Sequence, residues 1–452
     1  MEKQMNRKSM QKTGFVVLLI DFMVYLGVAM QNYSSYVLTD IAKISAGTVG
    51  TIMAVGNYAC CIVCFFVGMA MTNTHTKMGQ YRPWLLWTYI ASSVGSLLLI
   101  FHTDHKGIGV AIGAVAFFLF MLGLLLQGTA KFGLYMKLAG DNNEARTLYA
   151  SRSFSGLYIG VLVSGAAMVP LVGLFGGDNE AVGWWIVQGI FVVITMAGAL
   201  LLMKITKVAD TTIRDSSGGV SMWEQVKSLF ANRSGITVWL ADVFRYMGVY
   251  ALQALVVYHF TYVIGSLKLT SVALVVTGIS SFIGTMIAPN VTEKVGGRKK
   301  MAIIAAIAMV IVLAFMSFSP TSMSTVGFLI PYAIMFFFRG MVEAVVVPLY
   351  TDAGEYWIHK TGKDTRPFLV ASQNAGIAFG GGLAGMVVGQ VLTAINYTAG
   401  GSLSAAASST LCMWTSLAPM IGMILFVICL LIHNVSDKKV EEYIRENSKA
   451  GY

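Results

Sequence analysis

Long apolar runs govern what this chain can fold into. They recur from end to end of the 452 residues, and each reaches roughly the 18 residues that a helix needs to cross about 30 Å of hydrocarbon. A β-barrel would show short segments of alternating polarity instead. The sequence therefore predicts an all-α membrane protein that crosses the bilayer many times. Composition agrees: 56% of the residues are hydrophobic and 12% are charged, against about 25% charged in an average soluble domain. The N-terminal stretch M-E-K-Q-M-N-R-K-S-M-Q-K is basic, but no small-residue cleavage site follows its apolar run. It reads as a retained first span, not a removed signal peptide.

Twelve spans fit the pattern: 13–38, 47–71, 84–102, 108–136, 150–175, 182–204, 236–264, 269–292, 301–319, 325–350, 367–395 and 408–433. The basic residues then sort by loop. Lys8, Lys12, Lys77, Arg82, Lys137, Arg146, Lys207, Arg233, Lys294, Arg298, Lys360, Lys363, Arg366 and Lys438 fall on one side, and only Lys43, Lys106 and Lys268 on the other. Such a bias predicts that both termini are cytoplasmic, in the cell (plasma) membrane. It also reads the net charge of +10 as topology and not as a nucleic-acid surface. The longest polar insert, 205–235, carries D-S-S-G-G, the composition of a flexible linker. It separates an N-terminal half, 1–204, from a C-terminal half, 236–433, and leaves 434–452 as a tail read as a short, solvated helix. Short basic turns with glycine recur at matching places, K-M-G-Q-Y-R-P-W (77–84) and E-K-V-G-G-R-K-K (293–300). Two six-helix halves with a substrate site between them is the plan of the major facilitator transporters.

Ionisable residues inside a membrane are costly and mark function. Here they are Asp21 in span one, Lys131 in span four, Asp242 and Arg245 in span seven, and Arg339 and Glu343 in span ten. The last two pairs are spaced three and four apart, so each can neutralise itself on one helix face. Asp21 and Lys131 have no local partner of opposite sign, and a pairing across spans one and four is expected. Exchanging both charges should then rescue a single reversal. Tyr25, Asn32, Asn57, Gln127, Tyr246, Gln253 and Gln373 fall at depth and are candidate substrate contacts, although such groups also serve as interhelical hydrogen bonds. Gly380-Gly381-Gly382 reads as a close helix crossing. No zinc spacing, phosphate-binding glycine loop or hydrolase elbow appears in a suitable setting. The chain is therefore read as neither an enzyme nor an ATP-driven pump, with no cofactor.

Four segments together resemble one family. D-A-G-E-Y-W-I-H-K-T-G-K (352–363) is similar to the segment after span ten in the glycoside–pentoside–hexuronide:cation symporters, where an acidic pair is followed by K/R-T-G-K/R. G-Q-Y-R-P-W-L-L (79–86), E-A-R-T-L-Y-A-S-R (144–152) and L-F-A-N-R (229–233) resemble family segments after span two, after span four and before span seven. The resemblance covers nearly the whole chain and implies secondary transport of a sugar or glycoside with a cation, by alternating access. It assigns sugar-site roles to Asp21 and Arg152. It also places a family carboxylate at Gln127, a family lysine at Phe379 and gating acids at Asp352 and Glu355.

Under the same resemblance, two cation-binding carboxylates of span two land on Cys60 and Cys64, within N-Y-A-C-C-I-V-C-F-F (57–66). A thiol is a poor ligand for Na⁺, which prefers oxygen, so the cluster reads as a lost cation site. A metal or redox reading is weaker, because no histidine accompanies the cysteines and Cys60 and Cys61 point apart on a helix. Proton coupling through Asp21, Asp242 or Glu343 remains, as does an uncoupled facilitator or exchanger. Lys131, Arg152 and Arg245 admit an anionic substrate. The substrate is thus expected to be a glycoside, a glucuronide or an amphipathic organic anion, with a lipid or lysolipid as the alternative. The partners expected are this small molecule, H⁺ and the lipid bilayer, with a monomeric protein and no nucleic acid.

Overall fold

A computed structural model describes residues 7–72, 74, 76–101, 106–140, 143–210, 222–435 and 437–449. The D-S-S-G-G segment and the first six residues, on which the linker and leader readings rest, lie outside the described residues. The described residues form helices in the order α1 (Arg7–Val28), α2 (Met30–Tyr36), α3 (Ala46–Thr72), α4 (Arg82–Leu98), α5 (Lys106–Ala139), α6 (Asn143–Gly176), α7 (Glu180–Ile205), α8 (Met222–Phe230), α9 (Arg233–Tyr258), α10 (Lys268–Val295), α11 (Arg298–Phe318), α12 (Thr325–Thr361), α13 (Arg366–Ala394), α14 (Ala405–Ile432) and α15 (Asp437–Lys449). Among the described residues, eleven helical stretches are long and apolar enough to cross a membrane. α4, with 17 residues, lies at the short end of the spanning range of roughly 17–25. With it, every one of the twelve expected spans falls on a helix.

Local chemistry explains where these helices start and stop. Asn179, Asn232, Ser324 and Ser404 precede α7, α9, α12 and α14, and each side chain accepts a first-turn backbone N–H, which relieves donors that have no intrahelical partner. Between α1 and α2 the Ala29 N–H turns back to the Leu26 carbonyl at 3.2 Å, and beside this break the Gly27 N–H donates to Thr195 Oγ1 at 3.1 Å. Two π-helical turns follow at corresponding places, Val37–Ile41 after α2 and His259–Val263 after α9.

Three expectations change. Span ten was expected to end at 350, but α12 continues to Thr361. Nothing between the two ends the helix, and Gly362, left-handed at φ 66°, closes it with its N–H on the Ile358 carbonyl at 2.7 Å. The D-A-G-E-Y-W-I-H-K segment is therefore helix and not loop. The same holds for 144–152, which lies on α6. The tail helix α15 is docked on α12 and not freely solvated: Asn447 is buried, and its amide donates to Glu355 Oε2 at 2.8 Å and to the Glu355 carbonyl at 3.1 Å.

The chain divides into two compact units. One comprises Met1–Ile52, Phe66–Arg214 and Leu267–Gly278; the other comprises Met53–Phe65, Asp215–Ser266 and Ile279–Tyr452. Within the first, α1 and α6 cross closely at Gly156, where a Cβ would lie 2.2 Å from the Leu18 carbonyl oxygen and 2.9 Å from the Asp21 Cβ. Within the second, the expected crossing at the glycine triplet is present: a Cβ on Gly380 would lie 2.4 Å from the Val243 carbonyl oxygen.

Candidate functional site

The first unit buries an ion pair between α1 and α5. α1 turns Asp21 inward, fully buried, and α5 brings Lys131 and Tyr135 to it from one face, four residues apart. Lys131 is ion-paired with Asp21 and only 3% exposed, so it does not snorkel toward the membrane surface. The Tyr135 hydroxyl donates to Asp21 Oδ2 at 2.7 Å. Lys131 Nζ also stands 5.0 Å from the Tyr25 ring and 5.4 Å from the Phe132 ring, close enough for a cation–π attraction. Gln127, one turn earlier on α5, lines a small cavity with Ser92, Ser93, Ser96 and Thr195 beside the break in α1. Arg152 is half-buried on α6 and has no ion-pair partner among the described residues.

The second unit buries a larger network. Arg245 Nε donates to Asp242 Oδ1 at 2.7 Å, and Arg245 also pairs with Glu343. Gln373 Nε2 donates to Asp242 Oδ2 at 2.8 Å, and the Tyr350 hydroxyl donates to the same oxygen at 3.3 Å. The Tyr246 hydroxyl donates to Glu343 Oε1 at 3.1 Å. The local pairing expected for Arg339 and Glu343 is loose, at 3.9 Å. Spacing alone put those two on one face, but the guanidinium fork of Arg245 reaches Glu343 from the neighbouring helix and holds it more tightly.

Charge balances in both places, with one carboxylate and one cation in the first unit and two of each in the second. Exposure does not balance. The Asp21 and Asp242 side chains have 0% exposure, whereas Glu343 has 36%. Aromatic rings accompany the second network: Tyr58 lies 5.1 Å and Trp239 5.9 Å from Phe379, and Tyr246 lies 5.5 Å from Tyr250. Asn57 donates to the Met53 carbonyl at 2.8 Å and keeps its own buried side-chain oxygen unpartnered. Neither Asn32 nor Gln253 joins either cluster. Cys60, Cys61 and Cys64 are buried and form no disulfide. Among the described residues, no trio of His, Cys, Asp or Glu is arranged to hold a metal ion.

Asp352 and Glu355, the acids expected to gate, lie beside basic residues at helix ends. Asp352 pairs with Arg298 at 3.0 Å, and Glu355 pairs with Arg366 at 2.6 Å. Arg366 also holds Asp364 at 2.6 Å. Burial acts to raise the Asp364 carboxyl, but hydrogen bonds from the Arg366 side chain and backbone outweigh it and keep the group below the usual carboxylate range. Those same bonds, chiefly the one to Asp364, push the Arg366 guanidinium up.

Sequence reasoning overlooked Tyr135 and Tyr350, because a tyrosine hydroxyl inside an apolar run leaves no periodic trace. A repeat could have pointed to Gln373 as the partner of Asp242. L-Y-A-S-R (148–152) and L-V-A-S-Q (369–373) place Arg152 and Gln373 221 positions apart, the same separation as Asp21 and Asp242.

Comparison with known proteins adds the following. The family model described as MFS/sugar transport protein matches residues 21–437. The isoprimeverose transporter of Lactiplantibacillus pentosus is 26% identical over 431 residues, covering 93% of this chain and 88% of that protein. The raffinose carrier protein of Pediococcus pentosaceus is 26% identical over 353 residues, covering 75% of this chain and 54% of that protein. A crystal structure of the nucleoside transporter NupG shares the fold, with a TM-score of 0.67 at 11% identity over 94% of this chain and all of that one.

Proposed function

The chain belongs to the MFS/sugar transport protein family, a family of multi-pass membrane transporters with the major facilitator fold, and from that membership we propose that it carries a small glycoside by alternating access, coupled to protons and not to sodium. In this reading both termini are cytoplasmic, and the protein works as a monomer in the cell membrane. Tyr25 and Arg152 in the first unit, and Tyr246, Gln373 and Phe379 in the second, are the residues assigned to substrate contact.

One observation carries the proton assignment. Of the three carboxylates that the sequence places deep in the spans, Asp21 and Asp242 have no exposed side-chain surface and are surrounded by donors, whereas the Glu343 side chain is 36% exposed. A coupling acid must exchange its proton with water, so Glu343 is the group assigned to it. Sodium coupling is disfavoured because thiols stand at the two positions where the family resemblance expects oxygen ligands. A neutral glycoside is preferred to an anion because Lys131 and Arg245 already face carboxylates of the chain. The balanced charges of both clusters support a second reading, an uncoupled exchanger.

Purified protein in liposomes distinguishes them. Isoprimeverose or raffinose uptake should be driven by an imposed pH gradient, one pH unit being worth about 1.4 kcal/mol, or about tenfold in accumulation, per proton. A sodium gradient should have no effect. Accumulation that follows sodium overturns the coupling proposal, and equilibration indifferent to pH favours the exchanger.

A further inference from the structure

The cavity beside the break in α1 has no part in this reading. It lies wholly within the first unit, where Ser92, Ser93 and Ser96 of α4, Gln127 of α5 and Thr195 of α7 face it together with Val24 of α1. Three of these polar groups have already placed their protons. The Ser92 hydroxyl donates to the Tyr89 carbonyl at 3.2 Å, and the Ser96 hydroxyl to the Ser93 carbonyl at 2.9 Å. Thr195 Oγ1 donates to the Met23 carbonyl at 3.2 Å while it accepts the Gly27 N–H. The other two have not. Gln127 and Ser93 are each only 7% exposed, and neither side chain forms a hydrogen bond among the described residues.

Packing stops α4 and α5 from closing on the cavity to pair these groups directly. The two helices already touch through their backbones at two points. A Cβ on Gly95 would lie 2.7 Å from the Ala116 carbonyl oxygen, and a Cβ on Gly123 would lie 2.5 Å from the Thr88 carbonyl oxygen. A buried amide or hydroxyl without a partner is costly, and ordered water relieves it where a site is polar and roomy enough. This cavity has room for about one water molecule. No charged side chain lines it, so a cation would find no carboxylate there and an anion no basic group. A neutral group that both donates and accepts fits the lining. We propose that the cavity is a built site for a single water molecule, which accepts from Gln127 or Ser93 and donates to the free lone pairs of the α4 hydroxyls. The water gives α4 and α5 a common polar partner beside the break in α1. Gln127 is one turn from Lys131, so the same water steadies the part of α5 that supplies the cation for Asp21.

The test needs no transport substrate, so its outcome is separate from that of the proposed function. A millisecond X-ray pulse turns water, bulk or bound, into hydroxyl radicals that oxidise the side chains they touch. Val24 lines the cavity and is only 1% exposed, whereas Val17, two turns earlier on α1, is fully buried and lines no part of it. In the full-length protein purified in detergent, mass spectrometry should find Val24 oxidised and Val17 not. Gln127→Met keeps the volume of the side chain but removes its polar group, and Ser93→Val fills the space. Each variant should lose the oxidation of Val24 while oxidation elsewhere in the chain is unchanged. Wild-type Val24 no more oxidised than Val17 would mean a dry cavity and overturn the site, a result that depends on no variant folding. Oxidation of Val24 that persists in either variant would come from bulk water and overturn it equally.

Discussion

At the scale of the residue, burying Lys131 demands compensation. An ammonium that has lost its water needs a carboxylate and further polar or aromatic partners; Asp21 and the Tyr25 and Phe132 rings are within reach, and Tyr135 supports Asp21 from its other oxygen. Removing one partner leaves a bare charge, and Asp21→Asn should cost about 3–5 kcal/mol of stability. Asp21→Asn combined with Lys131→Met removes both charges and should recover most of that loss. Thermal melting in detergent checks this; a double variant no more stable than the single one would remove the ion pair from the account. The pairing itself was legible in the sequence, because two opposite charges in separate spans had no neighbour to neutralise them. The choice made by Glu343 was not legible. Helical spacing gave it Arg339, and only the approach of α9 to α12 gives it Arg245.

At the scale of the element, α12 shows where apolar patterning stops being informative. Hydropathy marks the membrane part of a helix, not its end. α12 runs on through Asp352, Glu355 and Trp357 to Thr361, because a helix continues until something ends it. Gly362 is that signal, a left-handed glycine just past the last basic residues of the helix. The extension then offers one face to α15. His359 pairs with Glu446 at 3.0 Å and stacks on Tyr443 at 4.6 Å, while Glu355 receives Asn447. A tail with few apolar residues gave no sign of docking because these contacts are polar and aromatic. At φ 66° a side chain pays the left-handed penalty, so Gly362→Ala should destabilise by about 1–2 kcal/mol. Gly362→Asn should cost less, since asparagine visits that region more readily. Equal melting temperatures for all three proteins would mean that the cap does not hold the end of α12.

At the scale of the whole molecule, the chain repeats one device. Asp21 receives the hydroxyl of Tyr135, and Asp242 that of Tyr350. Arg152 and Gln373 occupy matching places in a recurring L-x-A-S segment, and a π-helical turn follows the first long helix of each repeat. The difference lies in the cation. In the first unit it comes from α5 and seals the site. In the second, Arg245 comes from the same helix as Asp242 and shares itself with Glu343, which stays partly open. If the open carboxylate is the coupling group, neutralising it should separate movement of substrate from movement of protons. Glu343→Gln keeps one acceptor oxygen, for Arg245, and turns an NH2 toward the Tyr246 hydroxyl, which can rotate to accept from it, but it cannot be protonated in the transport cycle. The variant should still exchange labelled for unlabelled glycoside across liposomes at the wild-type rate. It should lose the accumulation, about tenfold per proton for one pH unit, that the gradient drives in the wild type. Asp242→Asn, by contrast, leaves Arg245 short of a buried partner and should impair exchange and accumulation together. Continued gradient-driven accumulation by Glu343→Gln would move the proton site away from α12, and loss of exchange alongside accumulation would make Glu343 a structural partner of Arg245.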